Sequence, residues 1–260
     1  MISADLLDIT VVILAKNEAG VIEKSIRSAS FARDILVVDS GSSDKTCDIS
    51  KELGARVVYN KWPEDFSSQR NFADGCTRFE WIFHLDADET LAPEFASELT
   101  DFFKNGLDKR FHAGRFPRKE FIFGKWIRHG GWYPQYKLRL YKKGSGKWIG
   151  KVHEHFESSG DVFTFSSAIH HESYKDVHTF IEKFNRYSTL DAEEEFSKKR
   201  MFRPFKLLFQ PVERFLGRFI IHRGYLDGFH GFAIASLIGL NYFLRHLKLW
   251  ERYYMEDKER

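Results

Sequence analysis

No run in this chain is apolar enough to cross a bilayer. The longest, Gly231 to Leu244, has about 14 residues including Asn241, where a spanning helix needs roughly 20. Cysteine is nearly absent: Cys47 and Cys76 form neither a metal-like spacing nor a disulfide framework, and a reducing cytosolic compartment is the expectation. Met1 to Leu7 carries Asp5 and no basic segment, and the apolar run after it is short, so no signal peptide is expected. Internal repeats and low-complexity segments are missing as well. So is a glycine-rich phosphate loop after the first apolar run, where AKNEAG stands instead.

What is present suits a folded enzyme. Hydrophobic residues make up 43% and charged ones 30%, enough to bury a real core. Aromatics reach 16%, with 26 phenylalanines, a surplus that suits the core first and interfaces or a membrane surface second. The net charge of +3 is unevenly spread: residues 198–260 hold 13 Lys+Arg against 6 Asp+Glu, which leaves −4 for residues 1–197. A basic, aromatic tail on an acidic body fits an anionic membrane surface, with nucleic acid as the alternative.

Strand-like runs alternate with helical ones along the first hundred residues. Ile9 to Leu14, Ile35 to Asp39, Arg56 to Tyr59 and Trp81 to Leu85 read as strands, with helices from Asn17 to about Ala29, from Asp44 to Leu53 and from Ser67 to Cys76. Gly54 is placed to cap the second helix, and Asn17 the first. This alternation predicts an α/β fold with a mostly parallel, doubly wound sheet, whose ligands sit beyond the strands' carboxyl ends. Three polar clusters follow strands there: Lys16-Asn17-Glu18, the DSGSSD run from Asp39, and Asp86-Ala87-Asp88-Glu89. Strand side chains alternate faces, so Asp86 and Asp88 are expected to point the same way and grip one divalent cation alongside a substrate's phosphates. The alternative is that Asp88 or Thr90 caps a helix begun by Pro93.

Beyond Gly106 the pattern shifts to short strands, and Val177 to about Phe196 reads as a helix. From Met201 the large apolar residues alternate with Arg203, Lys206, Arg214 and Arg218, as in an interfacial amphipathic helix; packing on the catalytic domain is the other reading.

Taken in order, AKNEAGVIEKSIRS, ILVVDSGSSDKT, SSQRNFA, WIFHLDADE, RHGGWYPQYKLRLY, KVHEHF and HHESY resemble inverting glycosyltransferases of family 2. Within them the chain is most similar to the lipopolysaccharide core β-1,4-glucosyltransferase group. The resemblance implies a GT-A-type nucleotide-sugar domain over 1–197, with a nucleotide half at 1–105 and an acceptor half at 106–197. A helical, basic-aromatic appendage occupies 198–260. It implies a hexose, glucose from UDP-glucose, moved onto a lipid-linked saccharide at the inner face of the cytoplasmic membrane, with contact through 201–250 and no nucleic acid partner.

The resemblance also distributes roles. Asp88 of the DxD motif would hold a divalent metal, Mn2+ or Mg2+, with Asp86 nearby at the ribose and His171 as a further ligand. Lys16, Asn17 and Glu18 would line the nucleotide pocket, Asp39 would accept from the base, and Arg70 would lean toward the diphosphate or base. Members of the family often carry two acids in the second loop, whereas here Ser40 follows Asp39. The usual acidic base motif is also missing, and His153-Glu154-His155 offers its substitute, with Glu154 as the base; pairing of Glu154 with an arginine such as Arg139 is the bland alternative. Arg128, His129, Trp132 and Tyr133 look like a loop over donor or acceptor, and Arg139 like a phosphate contact or a surface arginine.

Rival readings keep the fold with a capsule, O-antigen or glycoprotein acceptor, or change class to a nucleotidyltransferase or a basic-tail nucleic-acid-binding module. Against the last, the tail's basic residues are interleaved with large aliphatic ones.

Overall fold

A computed structural model describes residues 6–63, 65–150 and 154–259. Met1–Asp5, Glu64, Lys151, Val152, His153 and Arg260 lie outside the described residues. The elements are β1 (Leu7–Ala15), α1 (Ile22–Ser28), β2 (Ala32–Asp39), α2 (Thr46–Glu52), β3 (Arg56–Tyr59), α3 (Phe66–Gly75), β4 (Trp81–Asp86), β5 (Glu89–Leu91) and α4 (Phe95–Lys104). They continue with β6 (Ala113–Ile122), β7 (Lys125–Ile127), β8 (Gln135–Lys142), β9 (Gly146–Ile149), β10 (His155–Ser158), β11 (Val162–Thr164) and β12 (Ile169–Tyr174). Three helices close the chain: α5 (Val177–Ser197), α6 (Pro204–Leu216) and α7 (Phe229–Glu259).

The chain forms two compact units. The first comprises Met1–Arg118 and Gln135–His171, the second Lys119–Pro134 and Glu172–Arg260. α5 falls in the second unit, where polar contacts bind it to α7. Lys248 Nζ donates to the Asn185 carbonyl and side-chain oxygen at 2.7 Å each, and Arg252 pairs with Glu193 at 2.6 Å.

In the first unit the sheet order is β3-β2-β1-β4-β8-β6-β12-β5, with β11 also on β6. The four strands β3, β2, β1 and β4 are parallel, which is the doubly wound part expected from the strand–helix alternation. Beyond β4 the pairings with β8, then β8 with β6, are antiparallel. The sheet is thus mixed, because the chain after α4 returns through strands without intervening helices. β1 is buried on both faces, which is why ITVVIL is a continuous apolar run.

Seven of the 26 phenylalanines are buried, and most of these stack in the first unit. Phe83, Phe95, Phe116 and Phe165 are all buried, with Phe116 and Phe165 stacked at 4.3 Å between centroids and Phe83 meeting Phe95 edge-on at 5.2 Å. Gly114 leaves the space this stack needs, since a Cβ there would sit 2.4 Å from the Phe165 ring.

The second unit packs α5, α6 and α7 with the ends of β6 and β12 and with β7. Its core holds Ile122, Ile127, Phe180, Ile234 and Ile238. No described helix is long and apolar enough to cross a membrane.

Candidate active site

Register alone brings the first-unit loops to one rim. Leu14 pairs with both Val38 and Asp86, and Ala15 pairs with Asp39, so β1, β2 and β4 end level with one another. The loops after β1 and β2 are then laced together. Asn17 takes a left-handed backbone (φ 59°) and its Oδ1 accepts from the Ser43 N–H at 2.8 Å, while the Glu18 N–H donates to Thr46 Oγ1 at 2.8 Å. Asn17 therefore does not cap the following helix: α1 starts at Ile22 after Val21, with no side-chain cap. An asparagine tolerates the left-handed region, and here the link to the second loop takes its side chain instead. Lys16 is exposed beside it.

Asp39 is buried and turned into its own loop. Its carboxylate accepts from the Gly41 N–H at 2.9 Å, from the Ser42 N–H at 3.0 Å, from the Ser42 hydroxyl and from the Cys47 thiol. Burial pushes its carboxyl up, but the bonds from Ser42 and Gly41 outweigh that and hold it below the usual carboxylate range.

Asp86 ends β4, where the alternation of the strand stops; Ala87 and Asp88 form a turn. The two DxD carboxylates consequently do not share a face. Asp86 Oδ1 accepts from Arg70 Nη2 at 2.7 Å and Oδ2 from Arg139 Nη2 at 2.6 Å. Arg139 is not a surface arginine but 5% exposed, and its Nη2 also donates to Glu89 Oε1 at 3.0 Å. Glu89, fully buried, accepts further from the Asp86 N–H at 3.0 Å and from Arg118 Nη1 at 3.4 Å. Burial pushes the Asp86 carboxyl up, but Arg139 and then Arg70 outweigh it and hold it well below the usual range. Burial acts to lower the Arg139 pKa, and Asp86 and Glu89 outweigh that and raise it.

Glu154 meets the same cluster. Its Oε1 lies 3.2 Å from Arg70 Nη2, so the arginine partner is Arg70 rather than Arg139. Arg70 itself is clamped, with its guanidinium 4.6 Å from the Trp148 ring centroid. A cavity of about 480 Å³ opens onto this cluster, lined by Asp86, Arg118, Arg139, Trp148, Glu154 and Tyr136 among others. Glu89, Arg118, Tyr136 and Trp148 are site residues that sequence pattern does not single out. The only available signal was that Glu89 is the third acid of the DADE run.

Asp88 stands apart from Asp86, with its Oδ2 3.3 Å from His171 Nε2. His171 arrives on β12, opposite Glu89 of β5. A carboxylate oxygen and an imidazole nitrogen side by side are ligand types that fit a divalent cation. Asp86 does not fit that role, because both of its oxygens are taken by guanidinium groups. Among the described residues no group of three acidic, histidine or cysteine side chains forms a metal cluster.

The RHGGWY loop belongs to the second unit. The Arg128 and His129 N–H groups donate to the buried Asp227 carboxylate, at 3.2 Å and 2.7 Å, and Arg218 Nη1 donates to the Gly130 carbonyl at 2.6 Å. Arg128 lies over the Trp126 ring at 4.3 Å, Tyr133 meets that ring edge-on at 5.4 Å, and Arg218 lies 5.7 Å from the Trp132 ring centroid.

Behind the cavity runs a buried polar relay. Arg70 Nη1 lies 3.1 Å from His84 Nδ1, and His84 Nε2 lies 2.8 Å from Asp74 Oδ1. Because an arginine only donates, Nδ1 is the acceptor and Nε2 carries the proton toward Asp74. Tyr141 donates to Asp74 at 2.8 Å and receives the Trp148 indole N–H at 2.7 Å. Burial pushes the His84 pKa down, with Asp74 opposing. An unfolded histidine titrates near about 6.5, so His84's contribution is whole above that pH and declines below it, as only the unfolded chain takes up the proton. Urea midpoints should therefore fall between pH 7 and 5.5, with a slope from this residue of at most about 1.4 kcal/mol per pH unit. His246, also held down by burial, adds a slope of the same sign. His84→Gln should give a shallower fall than the unsubstituted chain; equal slopes would show that His84 does not carry it.

The family model described as Glycosyl transferase family 2 matches residues 10–177. An uncharacterized glycosyltransferase of Rickettsia bellii (strain RML369-C) is 28% identical over 256 residues, covering 94% of this chain and 86% of the relative. The lipopolysaccharide core biosynthesis glycosyltransferase LpsC of Rhizobium meliloti (strain 1021) is 26% identical over 261 residues, covering 97% and 95%. Among solved structures, S. aureus TarS 1-349 aligns with a TM-score of 0.45 at 11% identity, covering 96% of this chain and 92% of that one.

Proposed function

The chain belongs to glycosyl transferase family 2, and on that premise we propose that it moves a hexose, glucose from UDP-glucose, with inversion onto a lipid-linked sugar of the lipopolysaccharide or lipooligosaccharide core. The observation that carries this reading is the cavity on the Asp86–Arg70–Arg139–Glu154 cluster, just beyond the carboxyl end of β4. The acceptor class rests on the likeness to LpsC along 97% of the chain. The enzyme works at the inner face of the cytoplasmic membrane.

In this reaction the acceptor's hydroxyl oxygen bonds to the anomeric carbon of the donor sugar from the face opposite the diphosphate. The bond from that carbon to the diphosphate oxygen breaks, and the nucleoside diphosphate departs with the electron pair. Glu154 takes the hydroxyl proton, and Arg70 at 3.2 Å orients its carboxylate. Asp86 faces the ribose. The hydrogen-bonded cluster balances three arginines, Arg70, Arg118 and Arg139, against three carboxylates, Asp86, Glu89 and Glu154. Charge on the leaving diphosphate must then be met from outside that cluster. Asp88 and His171 would hold a divalent ion, Mn2+ or Mg2+, which supplies Lewis-acid neutralisation of that charge.

Lys16, Asn17 and Glu18 line the nucleotide pocket. Asp39 accepts the N–H of the uracil ring in place of the Cys47 thiol, the weakest of its donors. Arg128, His129, Trp132 and Tyr133 serve the acceptor, with aromatic faces suited to sugar rings.

The direct test is release of nucleoside diphosphate from a panel of nucleotide sugars, with manganese and with a chelator. UDP-glucose should be turned over, and the chelator should stop it. Absence of both turnover and nucleotide binding across the panel would overturn the reading.

A further inference from the structure

In the second unit, a cavity of about 560 Å³ opens at the amino end of α6. Lys199, Arg200, Arg203 and Lys206 line it, with the buried His246. Among the described residues the only acid lining it, Glu195, is already engaged by Arg245 and lies 3.6 Å from Arg200. Local helix electrostatics add to this excess. α6 begins after Arg203 with no side-chain cap and no acid in its first turn. Cations thus crowd the positive end of a helix dipole, where an anion is the stabilising occupant.

The same helix exposes an apolar stripe. Phe205, Leu208, Phe209, Val212 and Leu216 recur at helical spacing and are 45–69% exposed, Leu216 the least and Phe209 the most. The opposite side of α6 is the one that packs: Gly239 of α7 lies against the Pro211 carbonyl, and Gln210 is bonded to His246. Met201, beside the cavity, and Ile221 and Phe229, after α6, are 75–80% exposed. So large an exposed apolar surface marks an interaction site.

We propose that the second unit holds a phosphorylated lipid headgroup in the basic cavity while the α6 stripe enters the acyl boundary of the same membrane. A phosphate meets the uncapped helix end and four cations, and the stripe begins at the same helix end. A nucleic acid would use the cations but leave Leu208, Phe209 and Val212 in water. The inference deepens the membrane part of the proposed function; its assay needs no sugar donor, so its failure leaves the transfer reaction standing.

The test is co-sedimentation of the full chain with phosphatidylcholine vesicles, with and without phosphatidylglycerol. The chain should prefer the anionic vesicles. Replacing Lys199, Arg203 and Lys206 together by glutamine should weaken that binding on the order of 100-fold, at several-fold per cation. Leu208→Ser with Phe209→Ser should lower binding to both vesicle types, and unchanged urea midpoints would show both variants folded. Inorganic phosphate at millimolar concentration should not displace the chain from vesicles. Equal partitioning of the parent and the glutamine variant would overturn the proposal. So would tight binding of inorganic phosphate, or of a single-stranded oligonucleotide, without vesicle binding.

Discussion

Arg139→Met should destabilise the first unit by about 3–5 kcal/mol, because it strands the buried Glu89 carboxylate and takes one of two arginines from Asp86. The guanidinium is 5% exposed and holds Asp86 at 2.6 Å and Glu89 at 3.0 Å. Glu89, with no exposed surface, would keep only the Asp86 N–H and the longer Arg118 contact among these partners. Breaking such a cluster costs more than the cluster contributes, since a charge without its partner still has to be desolvated. Adding Glu89→Gln to Arg139→Met should recover part of the loss, and that coupling is the signature of a shared network. Urea denaturation of the two single variants and the double variant measures it. A loss below about 1 kcal/mol, with additive effects, would mean the carboxylates find other partners.

Glu154→Gln should lower kcat by about 10²- to 10⁴-fold while leaving donor affinity nearly unchanged, as expected when a general base is removed. Asp88→Ala should behave differently and weaken the binding of both metal and donor. The contrast matters because Glu154 also touches Arg70, so a purely positional role would alter donor binding as well. Titrating nucleotide binding alongside single-turnover rates separates the two. If Glu154→Gln keeps most of the activity, the proton goes elsewhere.

Much of the first unit was legible. β1, β2, β3 and β4 stand where apolar β-branched runs predict them, and in the second unit α5 occupies the periodic stretch that begins at Val177. Local side-chain choices were harder to read. Asn17 carries a good helix-cap signal, yet its partner is Ser43, 26 residues away. Asp86 and Asp88 alternate in sequence, but the strand stops between them, so one carboxylate meets arginines and the other meets His171. In the RHGGWY loop, the acceptor of the backbone N–H groups is Asp227, nearly a hundred residues downstream.

The sequence by itself determined the strand–helix alternation and hence the rim on which the polar loops meet. It did so because periodicity and β-branching act between neighbours, and parallel pairing carries loops to one edge of a sheet. Tertiary structure alone decided how the charges are spent. Whether an arginine faces a phosphate, a carboxylate or water depends on which distant carboxylates share its low-dielectric pocket. Arg139 is the case in point: its sequence allows a phosphate contact or a surface arginine, and only the fold puts Asp86 and Glu89 against it.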